Sequence, residues 1–87
     1  MNNGKIKASI GKVLKSLRIK QNLSQEDLAG ICQVDRSYIS MIEVGRNEPS
    51  VTKIFELCAG LKIKPSDFLR LVEIEMEKYT NITKKSD

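Results

Sequence analysis

The chain has 87 residues, 40% of them hydrophobic and 30% charged, with a net charge of +4. That is room for one small domain with a compact core of mainly Leu, Ile and Val, since there are only two Tyr, two Phe and no Trp. The absence of histidine removes the commonest general base and any Ser/His/Asp triad, no apolar run approaches the roughly 20 residues that span a bilayer, and residues 1–7 lack the apolar segment of a signal peptide. A cytoplasmic protein that is not an enzyme, with no membrane partner and no cofactor, is therefore expected.

Helix one is expected over about residues 6–21, with Ile10, Val13, Leu14 and Leu17 on one stripe. Asn22, a residue type that tolerates a left-handed cap, ends it. Residues 1–24 hold Lys5, Lys7, Lys12, Lys15, Arg18 and Lys20 and no acidic residue, whereas residues 25–49 are net acidic. The basic helix is either a solvated face or a set of cations flanking a nucleic-acid backbone.

Ser24 is a good N-cap, and Asp27 three residues on makes a near match to a capping box. It opens helix two, about residues 25–32, whose apolar positions are Leu28, Ala29 and Ile31. Ala29 is the small residue that lets a second helix cross closely. Asp35 opens helix three, about residues 36–44, with Val34, Ile39 and Ile42 turned inward and Arg36, Ser37, Ser40 and Met41 outward. Gly45 takes the place of a helix C-terminal glycine, and Pro49 closes the loop before a new cap at Ser50. Two short helices three residues apart, the second with polar residues on its outer face, form the pattern of a helix-turn-helix DNA reader. A plain surface helix would favour Lys, Glu and Gln over Ser, Tyr, Ser and Met, because they are better helix formers.

Helix four is expected over about residues 51–59, offering Val51, Ile54, Phe55, Leu57 and Cys58 and stopped by Gly60. Helix five begins at Pro65, a favourable first-turn proline, and runs to about Tyr79. Its apolar positions Phe68, Leu69, Leu71, Val72, Ile74 and Met76 cover more than one face, so it either meets a partner or wraps back over its own core. Residues 1–79 are expected to form the single domain and residues 80–87 a flexible polar tail. Cys32 and Cys58 fit no paired-ligand zinc motif and are read as small apolar filling, with no metal site. The five glycines are scattered and make no phosphate-binding loop.

The segments LSQEDLA, DRSYIS, IE and GRNEPS, within residues 10–71, resemble the lambda repressor and Cro-like (XRE) helix-turn-helix family. Within that family they look most like restriction-modification controller proteins and small phage-type repressors. The resemblance implies an all-α, compact five-helix lambda-repressor-like domain. It departs from the family at Gln33, where a turn glycine is usual; a left-handed Gln33 costs about 1 kcal/mol relative to Gly.

Residue roles follow from the same resemblance. Gln25, at the start of helix two, would bind a phosphate through its amide and the exposed backbone N–H groups. Arg36 is the first candidate for base reading, through guanine O6 and N7, with phosphate contact as the alternative. Ser37 and Ser40 would donate to bases or phosphates, Met41 would touch a thymine methyl, and Tyr38 would bond a phosphate or pack within the domain. Arg46 and Asn47 would clamp the backbone. Arg18 and Glu43 would form a structural ion pair joining helices one and three. The implied function is a dimeric transcriptional regulator on a near-palindromic operator, with duplex DNA and a second copy as partners and RNA polymerase as a further candidate. The alternative is an antitoxin or adaptor whose main partner is another protein.

Overall fold

A computed structural model describes the backbone of residues 3–84 and the side chains of residues 4–78. Five helices follow in order: α1 (Asn3–Lys20), α2 (Gln25–Cys32), α3 (Arg36–Glu43), α4 (Val51–Leu61) and α5 (Pro65–Lys84). No strand occurs among the described residues, so the architecture is all-α as expected.

Local chemistry sets most of the boundaries. The capping box closes fully: the Asp27 amide donates to Ser24 Oγ at 2.9 Å, and the Ser24 amide donates to Asp27 Oδ2 at 2.9 Å. The bond donated by the Ser24 backbone amide, helped by the Ser24 hydroxyl beside it, holds the Asp27 carboxyl below its ordinary pKa. Ser50 caps α4 by accepting from the Lys53 amide at 3.1 Å. Asp35 occupies the N-cap of α3 without a side-chain cap bond. Asn22 (φ 60°) and Gln33 (φ 58°) are left-handed, as is Gly45 (φ 79°) just past α3.

Several boundaries differ from the sequence expectation, beginning with α1, which starts at Asn3 and not near residue 6. Gly60 does not stop α4, which continues to Leu61 and ends at a left-handed Lys62 (φ 57°). Gly60 serves packing instead, since a Cβ there would stand 2.7 Å from Cys32 Sγ on α2. Helix α3 ends at Glu43, with Val44 as its cap. Helix α5 passes the expected domain edge at Tyr79 and runs to Lys84, so the tail expected over residues 80–87 begins as helix; residues 85–87 lie outside the described residues.

The core joins Ile10, Val13 and Leu14 of α1, Leu28 and Ala29 of α2, Ile39 and Ile42 of α3, Ile54, Leu57, Cys58 and Leu61 of α4, and Phe68 and Val72 of α5. Helix α1 packs on α3 and α4 on α2, while α5 packs on α1 and α4 behind them. Several residues expected inside are not. On α5, Leu69, Leu71 and Ile74 are exposed, so that helix does not bury all its apolar positions on its own core; Ile31 of α2 is 52% exposed, and Val51 and Phe55 of α4 are also exposed. Helices of 8 and 11 residues present too narrow a face to the core for every apolar side chain to reach it.

A close helix crossing lies at Gly11, a residue the sequence did not single out. A Cβ on Gly11 would collide with the Ile42 carbonyl oxygen and stand 2.7 Å from that of Glu43. Gly11 thus brings α1 directly against the backbone of α3. The end of α4 is tied back to α1 by Gln21, whose Nε2 donates to the Leu61 carbonyl at 2.7 Å.

Candidate nucleic-acid interface

The turn between α2 and α3 is built from backbone bonds. The Gln33 amide donates to the Gly30 carbonyl at 3.3 Å, and the Val34 amide to that of Ala29 at 3.0 Å. A left-handed Gln33 followed by Val34, packed against the core, swings α3 across α2 and leaves the α3 N-terminus on the surface. Arg36 and Ser37 are exposed there, while Ser40 and Met41 are half-buried rather than fully outward. Ile39 and Ile42 anchor the opposite face at full burial.

Behind this face, the expected ion pair is present and close. Arg18 Nε donates to Glu43 Oε2 at 2.6 Å and Nη2 to Oε1 at 3.0 Å, a two-point contact with the Glu43 side chain only 2% exposed. Arg18 Nη1 also donates to the Leu23 carbonyl at 2.8 Å, so one guanidinium joins α1, the α1–α2 loop and α3. The bond and charge of Glu43 raise the pKa of Arg18 despite the opposing effect of burial.

Gln25 is not a free surface amide. Its Nε2 donates to Glu43 Oε1 at 3.0 Å, and its Oε1 accepts from Arg36 Nη1 at 3.2 Å. A continuous relay therefore runs Arg18–Glu43–Gln25–Arg36, from the buried pair to the surface cation. Spacing alone could not reveal it, because Gln25 and Arg36 stand on different helices and meet only once the turn is made.

The remaining candidates divide. Arg46 and Asn47 are exposed, and their backbone amides donate to the Met41 carbonyl at 2.9 and 3.2 Å, which fixes the loop after α3 and leaves both side chains outward. Tyr38 is half-buried and packs against the core. Burial pushes its phenol pKa up, partly offset by Lys53 and reinforced by Glu56. Tyr38 and Lys53 line an open hollow of about 530 Å³ with Gln33, Val34 and Asp35. Lys53 was missed by the sequence reading; its place in the first turn after the Ser50 cap was the available signal.

Gly11 and Arg18 face α3, whereas Lys12 and Lys20 lie on the flank beside α5.

Comparison with known proteins agrees with this geometry. The family model described as Helix-turn-helix (HTH_3) matches residues 14–68. Control protein C.BamHI of Bacillus amyloliquefaciens is 36% identical over 70 residues, covering 79% of this chain and 86% of the relative. Control protein C.MunI of a Mycoplasma species is 39% identical over 71 residues, covering 80% and 96%. The crystal structure of the restriction-modification controller protein C.AhdI from Aeromonas hydrophila superposes with a TM-score of 0.69 at 35% identity, covering 71% of this chain and 94% of that one. The controller protein C.Esp1396I, solved as a tetramer with its natural 35 base-pair operator, gives 0.76 at 27% identity, covering 82% and 91%.

Proposed function

The chain belongs to the HTH_3 helix-turn-helix family, and from that premise we propose that it is a DNA-binding regulator, not an enzyme, that occupies a near-palindromic operator as a two-fold dimer. The observation that carries the reading is the exposed N-terminus of α3, with Arg36 held by Gln25 and α3 braced from behind by Arg18 and Glu43. Such an end fits a major groove, where Arg36 reads guanine O6 and N7. Ser37, Ser40 and Met41 flank it, and Gln25, Tyr38, Arg46, Asn47 and Lys53 contact phosphates.

The similarity to control proteins supports a narrower reading, a restriction-modification controller acting in the cytoplasm and governing RNA polymerase at its own promoter. For the dimer, the exposed Val51 and Phe55 of α4 and Leu69 of α5 supply apolar surface outside the core. Two reading helices would then lie about 34 Å apart, one turn of DNA. Residues 1–79 serve as the binding and dimerisation unit.

Selection of preferred sites from a random duplex pool with the purified protein, together with the stoichiometry of the tightest complex, tests this directly. A two-fold symmetric motif bound by a dimer is expected. No enrichment at either low or physiological salt would overturn the reading in favour of the protein-binding adaptor.

A further inference from the structure

The cations on the α5 flank of α1 border an apolar feature. Lys12 and Lys20 of α1 face Leu71, Ile74, Glu75 and Lys78 of α5 across a groove of about 200 Å³. Leu71 is 37% exposed and Ile74 45% exposed, so the groove has an aliphatic floor open to solvent. Glu75 sits beneath the rim, 3.8 Å from Lys12 Nζ and 3.2 Å from Lys78 Nζ, with its side chain only 18% exposed. Two ammonium groups, of Lys12 and Lys78, flank one carboxylate while their side chains remain 57% and 65% exposed, and Lys20 adds a third cation to the groove lining.

We propose that this groove docks an acidic amphipathic segment of another protein, with its aliphatic side chains on Leu71 and Ile74 and its carboxylates on Lys12, Lys20 and Lys78. Charge and floor together select this occupant. A nucleic-acid backbone would satisfy the lysines but gain nothing from the aliphatic floor, and the α3 reading face lies on the other flank of α1. A second copy packed two-fold on the same groove would bring Lys12, Lys20 and Lys78 against their own equivalents, a like-charge contact. An acidic segment carries both complementary features at helical spacing.

The test selects binders from a random peptide library displayed on phage, using the full chain, and measures the enriched peptides against two variants. One variant is Lys12→Ala/Lys20→Glu; the other is Ile74→Ser, which retains the charges and replaces a side chain that is already exposed. Enriched peptides are expected to combine Asp or Glu with Leu, Ile or Phe, and to bind each variant about tenfold more weakly or worse. Duplex-DNA affinity and helical content are expected to be unchanged. Absence of enrichment, enriched peptides without acidic residues, or undiminished binding to Ile74→Ser would each overturn the proposal. So would a parallel fall in DNA affinity, which would assign the lysines to phosphates. Self-association of the chain that disappears in the variants would make the occupant a second copy, with the same consequence.

Discussion

Glu43 divides its carboxylate between a buried arginine and a half-buried amide, and that sharing determines what its loss would do. Glu43→Ala leaves the Arg18 guanidinium, 10% exposed at its side chain, without its counter-charge. A loss of about 3 to 5 kcal/mol is expected, read from the urea midpoint. The joint replacement Arg18→Met/Glu43→Leu removes both charges and should cost far less, so the double-mutant cycle would show strong coupling. If the two single changes simply added, the pair would not be acting as a buried unit. At the other end of the relay, Arg36→Ala should reduce discrimination at one or two base positions by roughly 1 to 3 kcal/mol. Binding assays on selected and random duplexes measure this; equal losses on both would assign Arg36 to phosphate.

At the scale of whole helices, the α1–α3 crossing has the least tolerance. Gly11→Ala would push a methyl group into the backbone carbonyls of Ile42 and Glu43, which cannot yield as a flexible side chain can. We expect a stability loss of at least about 1 to 3 kcal/mol and weaker DNA binding as α3 is displaced, measured by thermal melting and duplex titration. The turn between α2 and α3 should respond oppositely. Gln33→Gly relieves a left-handed side-chain residue and should stabilise by up to about 1 kcal/mol, visible as a raised Tm. These two positions show what a sequence makes legible. The Ser24 capping box was readable because its cause lies within a few residues, and a left-handed turn at Gln33 was raised only by the resemblance to a family that has glycine there. Gly11 was not, because its neighbour is contributed by α3, about thirty residues further on, and only the assembled crossing makes a side chain impossible. Helix α4 running through Gly60 has the same origin: contact with Cys32 outweighs the local tendency of glycine to end a helix. For the candidate site, residue types and exposed positions were legible at Arg36, Ser37, Arg46 and Asn47, while the link between Gln25 and Arg36 required the fold.

For the molecule as a whole, the buried thiol gives stability a dependence on alkaline pH. Burial, reinforced by nearby Cys32, pushes the Cys58 thiol up to about 11, whereas an unfolded cysteine titrates near 8.5. The folded state therefore holds this proton more tightly. Its contribution is complete below the unfolded pKa and is lost as pH rises toward the folded one. Urea midpoints should fall between about pH 8.5 and 11, and the fall should be shallower in Cys58→Ala; identical slopes would show that other groups govern it. The relay from Arg18 to Arg36 also bears on how such a protein can be re-engineered. Transplanting only the surface residues of α3 into a related scaffold would deliver Arg36 without the amide that accepts its Nη1 bond. If Arg36 reads bases as proposed, a faithful transfer of base preference must carry position 25 with α3, and with it the carboxylate at 43 that accepts from that amide. The portable unit of the proposed specificity would then be a patch assembled from two helices.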